Sequence, residues 1–417
     1  MLVLYCGHME RVIRKRHQTS RLIPIVCLVL VLGVLGCAAA YRAAQQKPVV
    51  TKTVKVIQAA PKPYAVSASS NALFTGNSYF SRYINDHAMQ SELKFAYPFS
   101  RLNEFGWNQY DATMTGLECP TVAGLQQTSA QEDATLSFNC NPQYLPELAK
   151  WFTVVTLANN HTDNQGDEGL AETRRHLDEN HIQYFGDPDP RNTKDLCNVI
   201  SLPVQVTTSD GKTQKGALPV AMCGYHWFIR MVQPDELAVM KQYSEIMPVL
   251  AFPHGGVEYK TAPDEIKTML YRAMIDNGAD MVLGDHPHVV QPSEAYKGHP
   301  IFYSMGNFIF DQQVAPEMTR SAGINVRFEV KDANKSQLAA WLKLGKQCSM
   351  YHDDCLAQIE AASLKKLPYT YTLDIVGADD LGYITKPASA AVQAGILQRL
   401  NWAQVKTQLQ APYSAKT

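Results

Sequence analysis

Five apolar runs in this chain end on residue types that hold cations or move protons. ALFTG delivers Asn77, ATMTGL delivers Glu118, and VVTLA delivers Asn159, Asn160 and His161. VLAFP delivers His254, and MVLGD delivers His286 and His288. Imidazole nitrogens grouped with carboxylate and amide oxygens suit Mn²⁺, Zn²⁺ or Fe. Each group also has a plainer reading. Asp163 or Asn164 is placed to cap a following helix, His254 before Gly255-Gly256 reads as a turn histidine, and Glu118 beside Cys119-Pro120 as a surface carboxylate. What points to one site is their recurrence, because ligands in α/β folds gather at the carboxyl ends of strands. On a strand, His286 and His288 would share one side.

Short buried runs alternating with helical stretches give the α/β class. The pattern predicts helices over 168–180 and over about 263–277, with Pro263 in the first turn and Gly278 past the end. HPIFYSMGNFIFD reads as one further buried run. INVRFEV and YTYTLDIVG read as later strands separated by a polar segment, and a closing helix is expected over 389–400.

The 417 residues are 46% hydrophobic and 18% charged, which excludes wholesale disorder and collagen-like or coiled-coil designs. A net charge of -1 supplies no global basic field, so nucleic acid is not an expected partner. One run, LIPIVCLVLVLGVLGCAAA at 22–40, is uncharged and apolar throughout. As a helix rising ~1.5 Å per residue it approaches the ~30 Å core of a bilayer. Arg11, Arg14, Lys15, Arg16 and Arg21 precede it and set the N-terminus in the cytoplasm.

The expected organisation is a basic cytoplasmic head 1–21, a transmembrane signal anchor 22–40, an extracytoplasmic stalk 41–70, a main domain 71–400 and a tail 401–417. Gly36 and Ala38 to Ala40 leave a cleavable signal peptide as the alternative, and Val34 to Cys37 a looser lipoprotein box. Every version puts the main domain outside the cell membrane. Six cysteines (Cys119, Cys140, Cys197, Cys223, Cys348, Cys355) lie in that part. Their pairing is open, with free buried thiols as the alternative. Cys348 and Cys355 are the closest pair. His226, His299 and His352 have no strong context.

LANNHTDNQGDEGLAETRRHLDENHIQYFG, the stretch from HGGVEYK through HPIFYSMGNFIFDQ, and GLECPTV together resemble the CapA family of poly-γ-glutamate capsule-synthesis proteins. The similarity runs from about Leu73 to about Asp311. It implies a calcineurin-like metallophosphatase fold, a β-sandwich flanked by helices. It also implies an extracytoplasmic role in synthesis or export of an anionic envelope polymer, beside other membrane subunits of a synthesis complex. Carried over by motif, Glu118, Asn160, His254, His286 and His288 would hold a divalent metal ion (Mn, Zn or Fe). His161 would be the acid or electrostatic partner of a leaving oxygen, and Asn77, Asn159 and Glu258 would face substrate. Phosphoesterase-like hydrolysis is the implied chemistry; a non-catalytic, polymer-binding accessory subunit is the alternative.

Two departures from the family pattern stand out. The first strand ends Gly76-Asn77 where Gly-Asp is usual, which removes a carboxylate that Asp86 or Asp111 would have to replace. Gly255 follows His254 where Trp is common, so a more open pocket wall is expected.

Overall fold

The computed structural model describes residues 41–42, 62–228, 230–345, 347–348 and 352–416. The head 1–21, the apolar run 22–40 and most of the stalk lie outside the described residues. Among the described residues, no helix is long and apolar enough to cross a membrane.

Strand β1 (Ala65–Ser78) is the hub of the sheet. It alternates between buried and exposed positions at first, then turns buried on both faces from Ala72 onward. From there on, neither face of the strand meets solvent. Its N-terminal part pairs antiparallel with β5 (Cys197–Thr208) and β12 (Arg320–Val330). Its C-terminal part pairs parallel with β2 (Ala112–Leu117) and β11 (Asn307–Ile309). β3 (Val154–Thr156) and β4 (Gln183–Phe185) extend that parallel set.

β5 turns back as a hairpin into β6 (Thr213–His226). From β6 a second parallel set runs through β7 (Val249–His254), β8 (Met281–Leu283) and β10 (His299–Phe302). A parallel bridge between Asp187 and Tyr225 links the two sets. β13 (Tyr369–Asp379) lines the far side of β12, while β9 (Ser293–Tyr296) and β14 (Lys386–Pro387) form the two ends. The result is a mixed α/β fold around one large mixed sheet.

Parallel neighbours need crossovers, and helices supply them. After β1 comes α1 (Arg82–Gln90); α2 (Gly166–Glu179) returns the chain from β3 to β4, and α3 (Glu265–Asp276) from β7 to β8. One apolar body gathers Val220, Leu250, Val282, Ile324 and Leu373. A second gathers Phe80, Leu117, Val155, Leu177 and Phe308. Because the Asp187–Tyr225 bridge joins a residue just past β4 to the end of β6, the two parallel sets meet at their carboxyl ends.

Several boundaries differ from the sequence reading. β1 begins at Ala65, inside the segment read as stalk. The run HPIFYSMGNFIFD is two strands, β10 and β11, broken by a turn at Gly306 with φ +77°. A Cβ on Gly76 would come within 1.7 Å of the Gly306 carbonyl oxygen, so only glycine fits there. The polar segment contains α4 (Lys335–Leu344). The closing helix α5 (Ala390–Arg399) is capped by the Ser389 side chain. The expected tail packs on the sheet, with β15 (Tyr413–Ala415) pairing β13. Pro263 stands outside α3, which is capped instead by Asp264 accepting the Lys267 N–H. Gln165, not Asp163 or Asn164, precedes α2, and it makes no side-chain cap.

The six cysteines form the pairs Cys119–Cys140, Cys197–Cys223 and Cys348–Cys355. Disulfides persist in oxidising compartments, so these pairs suit an extracytoplasmic domain.

Candidate metal centre

The strand ends bring Asn77, Glu118, Asn160, His254, His286 and His288 to this meeting point, with His286 and His288 sharing one turn and the others each on a separate element. Glu118 follows β2, where its N–H donates to Ser78 O at 2.9 Å and the Cys119–Cys140 disulfide ties the next residue. Asn160 follows β3, and His254 ends β7 beside a bridge to Asp285. His286 and His288 are in a turn after β8 rather than on a strand, with φ of +94° and +60°. Non-glycine residues held in that region carry backbone strain, which concentrates at functional sites. The shared-side argument for a strand therefore does not apply, and the ring centroids lie 6.0 Å apart.

Hydrogen bonding fixes which ring atoms are available. Asn307 donates its amide N–H groups to Gln312 and Met318, so its Oδ1 accepts from His288 Nδ1 at 2.9 Å. His288 Nε2 is left with its lone pair, 3.9 Å from Glu118 Oε1. Metal-binding histidines are oriented by this kind of outer partner. On the other side of Glu118, His254 Nε2 lies 4.0 Å from Oε1. The same Nε2 is 2.8 Å from Asn160 Oδ1 and 3.2 Å from His286 Nδ1. An amide oxygen and two ring nitrogens thus crowd together, a grouping that protons satisfy only in part.

Both carboxylate oxygens of Glu118 are buried without a hydrogen-bond partner, as are His286 Nε2 and Asn77 Nδ2. A buried, unpaired carboxylate is costly, and a cation removes the cost. Among the described residues no three His, Cys, Asp or Glu side chains form a ready-made ligand group. The residues fit a divalent ion by donor chemistry, with one carboxylate, three imidazoles and an amide oxygen, rather than as a closed cage.

Burial dominates the electrostatics. It raises the Glu118 carboxyl well above its ordinary range, with the charges of Asp285 and Glu258 adding to it. Burial, then the neighbouring His286, pushes His254 well down. His286 falls to about 2 and His288 to about 4, again mainly through burial. These rings enter the neutral pH range uncharged, which is the form that binds metal. His161 is likewise lowered to about 4 by burial. Its Nδ1 donates to Asn164 Oδ1 at 3.0 Å, since that oxygen also accepts the Phe138 N–H. The His161 Nε2 therefore carries the lone pair.

Other expectations are corrected. Asn159 does not face substrate with a free amide: Nδ2 donates to Leu117 O, and Oδ1 accepts the N–H groups of His161 and Thr162. It builds the turn that presents Asn160. Glu258 is half-buried and close enough to act on Glu118 electrostatically. Asp86 accepts from Ser129 Oγ, and Asp111 accepts from Gln205 Nε2 and from Asn71 N in the middle of β1. Neither replaces the carboxylate missing at Asn77. The wall beside Gly255 is not open either. A Cβ there would meet the Trp227 indole at 2.6 Å, so Trp227, from the end of β6, fills the space.

Three participants escaped the sequence reading. His226 ends β6 in register with His254, and its Nδ1 donates to Pro188 O, leaving a buried Nε2 unpartnered. Its position at the end of the apolar run LPVAMCGYH was the available signal. Asp285, raised well above its ordinary range by burial, sits beside His286. Asn307, within GNFIFD, orients His288.

Comparison with known proteins places the chain in a family. The model for the bacterial capsule synthesis protein PGA_cap matches residues 71–213 and 232–312, more than half of the chain. The PGA biosynthesis protein CapA of Bacillus subtilis (strain 168) is 28% identical over 257 residues, covering 58% of this chain and 63% of the relative. The capsule biosynthesis protein CapA of Bacillus anthracis is 36% identical over 172 residues, covering 39% and 41%. An uncharacterized protein, y4sH, of Sinorhizobium fredii is 38% identical over 76 residues, covering 18% and 16%. The matched stretches thus span less than two thirds of these relatives. With the strand-end motifs inside the matched ranges, the chain belongs to the bacterial capsule synthesis protein PGA_cap family.

Proposed function

We infer that this protein acts in synthesis or export of an anionic capsule polymer, poly-γ-glutamate or a close chemical relative. In this reading a signal anchor tethers it to the membrane, and a metallophosphatase-like domain faces outward beside other subunits of a synthesis complex. Glu118, Asn160, His254, His286 and His288 hold one divalent cation. The observation that carries the metal site is the Glu118 carboxylate, buried without a hydrogen-bond partner between His254 and His288. A bound divalent ion supplies Lewis acidity and lowers the pKa of a water to about 7.

The chain's own groups do the rest. His161 is neutral at rest, and an anion bound beside it raises its affinity for a proton. It then passes that proton from Nε2 to a leaving oxygen. Glu258 and the Asn77 amide face the reacting group. The test is polymer output in cells lacking this protein and complemented with variants. Wild type restores the polymer and Glu118→Gln does not; full restoration by Glu118→Gln contradicts the metal-dependent role.

A second reading, a non-catalytic accessory subunit, is favoured by the neutral Asn77 and by the lack of a closed ligand group among the described residues. Asn77→Asp separates the two. Hydrolysis of aryl phosphates with Mn²⁺ that appears only in this variant assigns the accessory role; equal hydrolysis by wild type assigns catalysis.

A further inference from the structure

Behind the His286–His288 turn lies a second cleft, of about 470 Å³, within the size range of ligand sites. Val290, just past that turn, forms one wall, and Gly395 and Ile396 of α5 form another. Arg320, Arg399 and Glu317 supply its charge. Both arginines are half-buried, and among the described residues neither guanidinium makes a hydrogen bond or ion pair. That is unusual. The other half-buried arginines, Arg82, Arg174 and Arg230, are all matched by carboxylates. Asp379 faces Arg320 across β12 and β13, yet its Oδ1 accepts the Leu381 N–H instead. Guanidinium groups keep their charge at every relevant pH and bind carboxylates through paired N–H donors. Glu317 adds an acceptor that suits an amide N–H.

We propose that this cleft binds a segment of a carboxylate-bearing polyamide, with carboxylates on Arg320 and Arg399 and a chain amide N–H on Glu317. A γ-linked glutamate chain has that alternation of carboxylate and amide. The proposal rests on the capsule reading and deepens it: the cleft is a holding site that keeps the polymer beside the strand-end centre. Gly395 gives a clean means of testing it, since a Cβ there meets nothing within 4 Å.

The probe is a fluorescently labelled γ-linked octaglutamate, its affinity for the full-length chain in detergent read by anisotropy. Arg320→Gln and Arg399→Gln should each weaken binding at least about 10-fold, and Gly395→Glu should do so by placing a like charge in the cleft without disturbing packing. Thermal unfolding checks that each variant is folded. Wild-type affinity in all three variants overturns the cleft and leaves the capsule reading untouched. Equal binding of polyphosphate also overturns it, because the site is then a general anion cleft. Absence of binding by wild type overturns it too, and polymer output in complemented cells decides the capsule reading separately.

Discussion

His288 donates from Nδ1 to Oδ1 of Asn307 at 2.9 Å, and this contact turns the opposite nitrogen toward Glu118. Asn307 thus sets the tautomer of a ring it does not share a strand with. Losing such an outer partner costs about 10–100-fold in metal affinity. Asn307→Ala should therefore weaken Mn²⁺ binding by that factor. Titration calorimetry on the folded variant measures it, and unchanged affinity would remove His288 from the ligand set.

The buried imidazole of His161 makes metal-free stability pH-dependent. Its folded pKa is about 4 against an ordinary 6.5, so below 6.5 the unfolded chain binds a proton that the folded chain refuses. Its contribution is present above pH 6.5 and is lost as pH falls toward 4, at up to about 1.4 kcal/mol per unit. Glu118 has the opposite sign, because its raised pKa lets the folded form keep a proton longer. Comparing wild type with His161→Gln isolates the first effect. Urea unfolding between pH 6.5 and 5 should show a shallower fall in the variant.

Trp227 and Gly255 form a packed pair, with the indole occupying the space of a side chain. Gly255→Ala should cost about 1–3 kcal/mol through overpacking. In a Trp227→Ala background the same substitution should cost much less. A double-mutant cycle by chemical denaturation reads the coupling, and additive costs would contradict the contact.

The Cys119–Cys140 disulfide closes a 21-residue separation directly after Glu118. Replacing both cysteines with serine should cost about 3 kcal/mol. It should also weaken metal binding, since the carboxylate loses its brace. Denaturant midpoints and metal titration on the same variant measure both effects.

Much of this layout was legible from residue types alone. Apolar runs ending on Asn, Glu or His marked Glu118, the Asn159–Asn160 pair, His254, His286 and His288, because a parallel strand must be buried and must end at the ligand side. What escaped depended on contacts between distant segments. Asn159 and Asn160 are adjacent and identical in type, and only the Leu117 carbonyl decides which one builds the turn. Trp227 substitutes for a side chain at position 255 from another strand, which spacing does not encode. β5, with alternating burial over 197–208, went unread because Pro203 interrupts its pattern. The pairing of β15 with β13 joins elements whose partnership has no local signature.

In the proposed site, Glu118 supplies the charge that holds a cation among the surrounding histidines. Equilibrium dialysis of the full-length chain against Mn²⁺, with Glu118→Gln in parallel, tests it most directly. Wild type should bind saturably, and the folded variant should lose that binding. Equal uptake by both, or none by wild type, would contradict it.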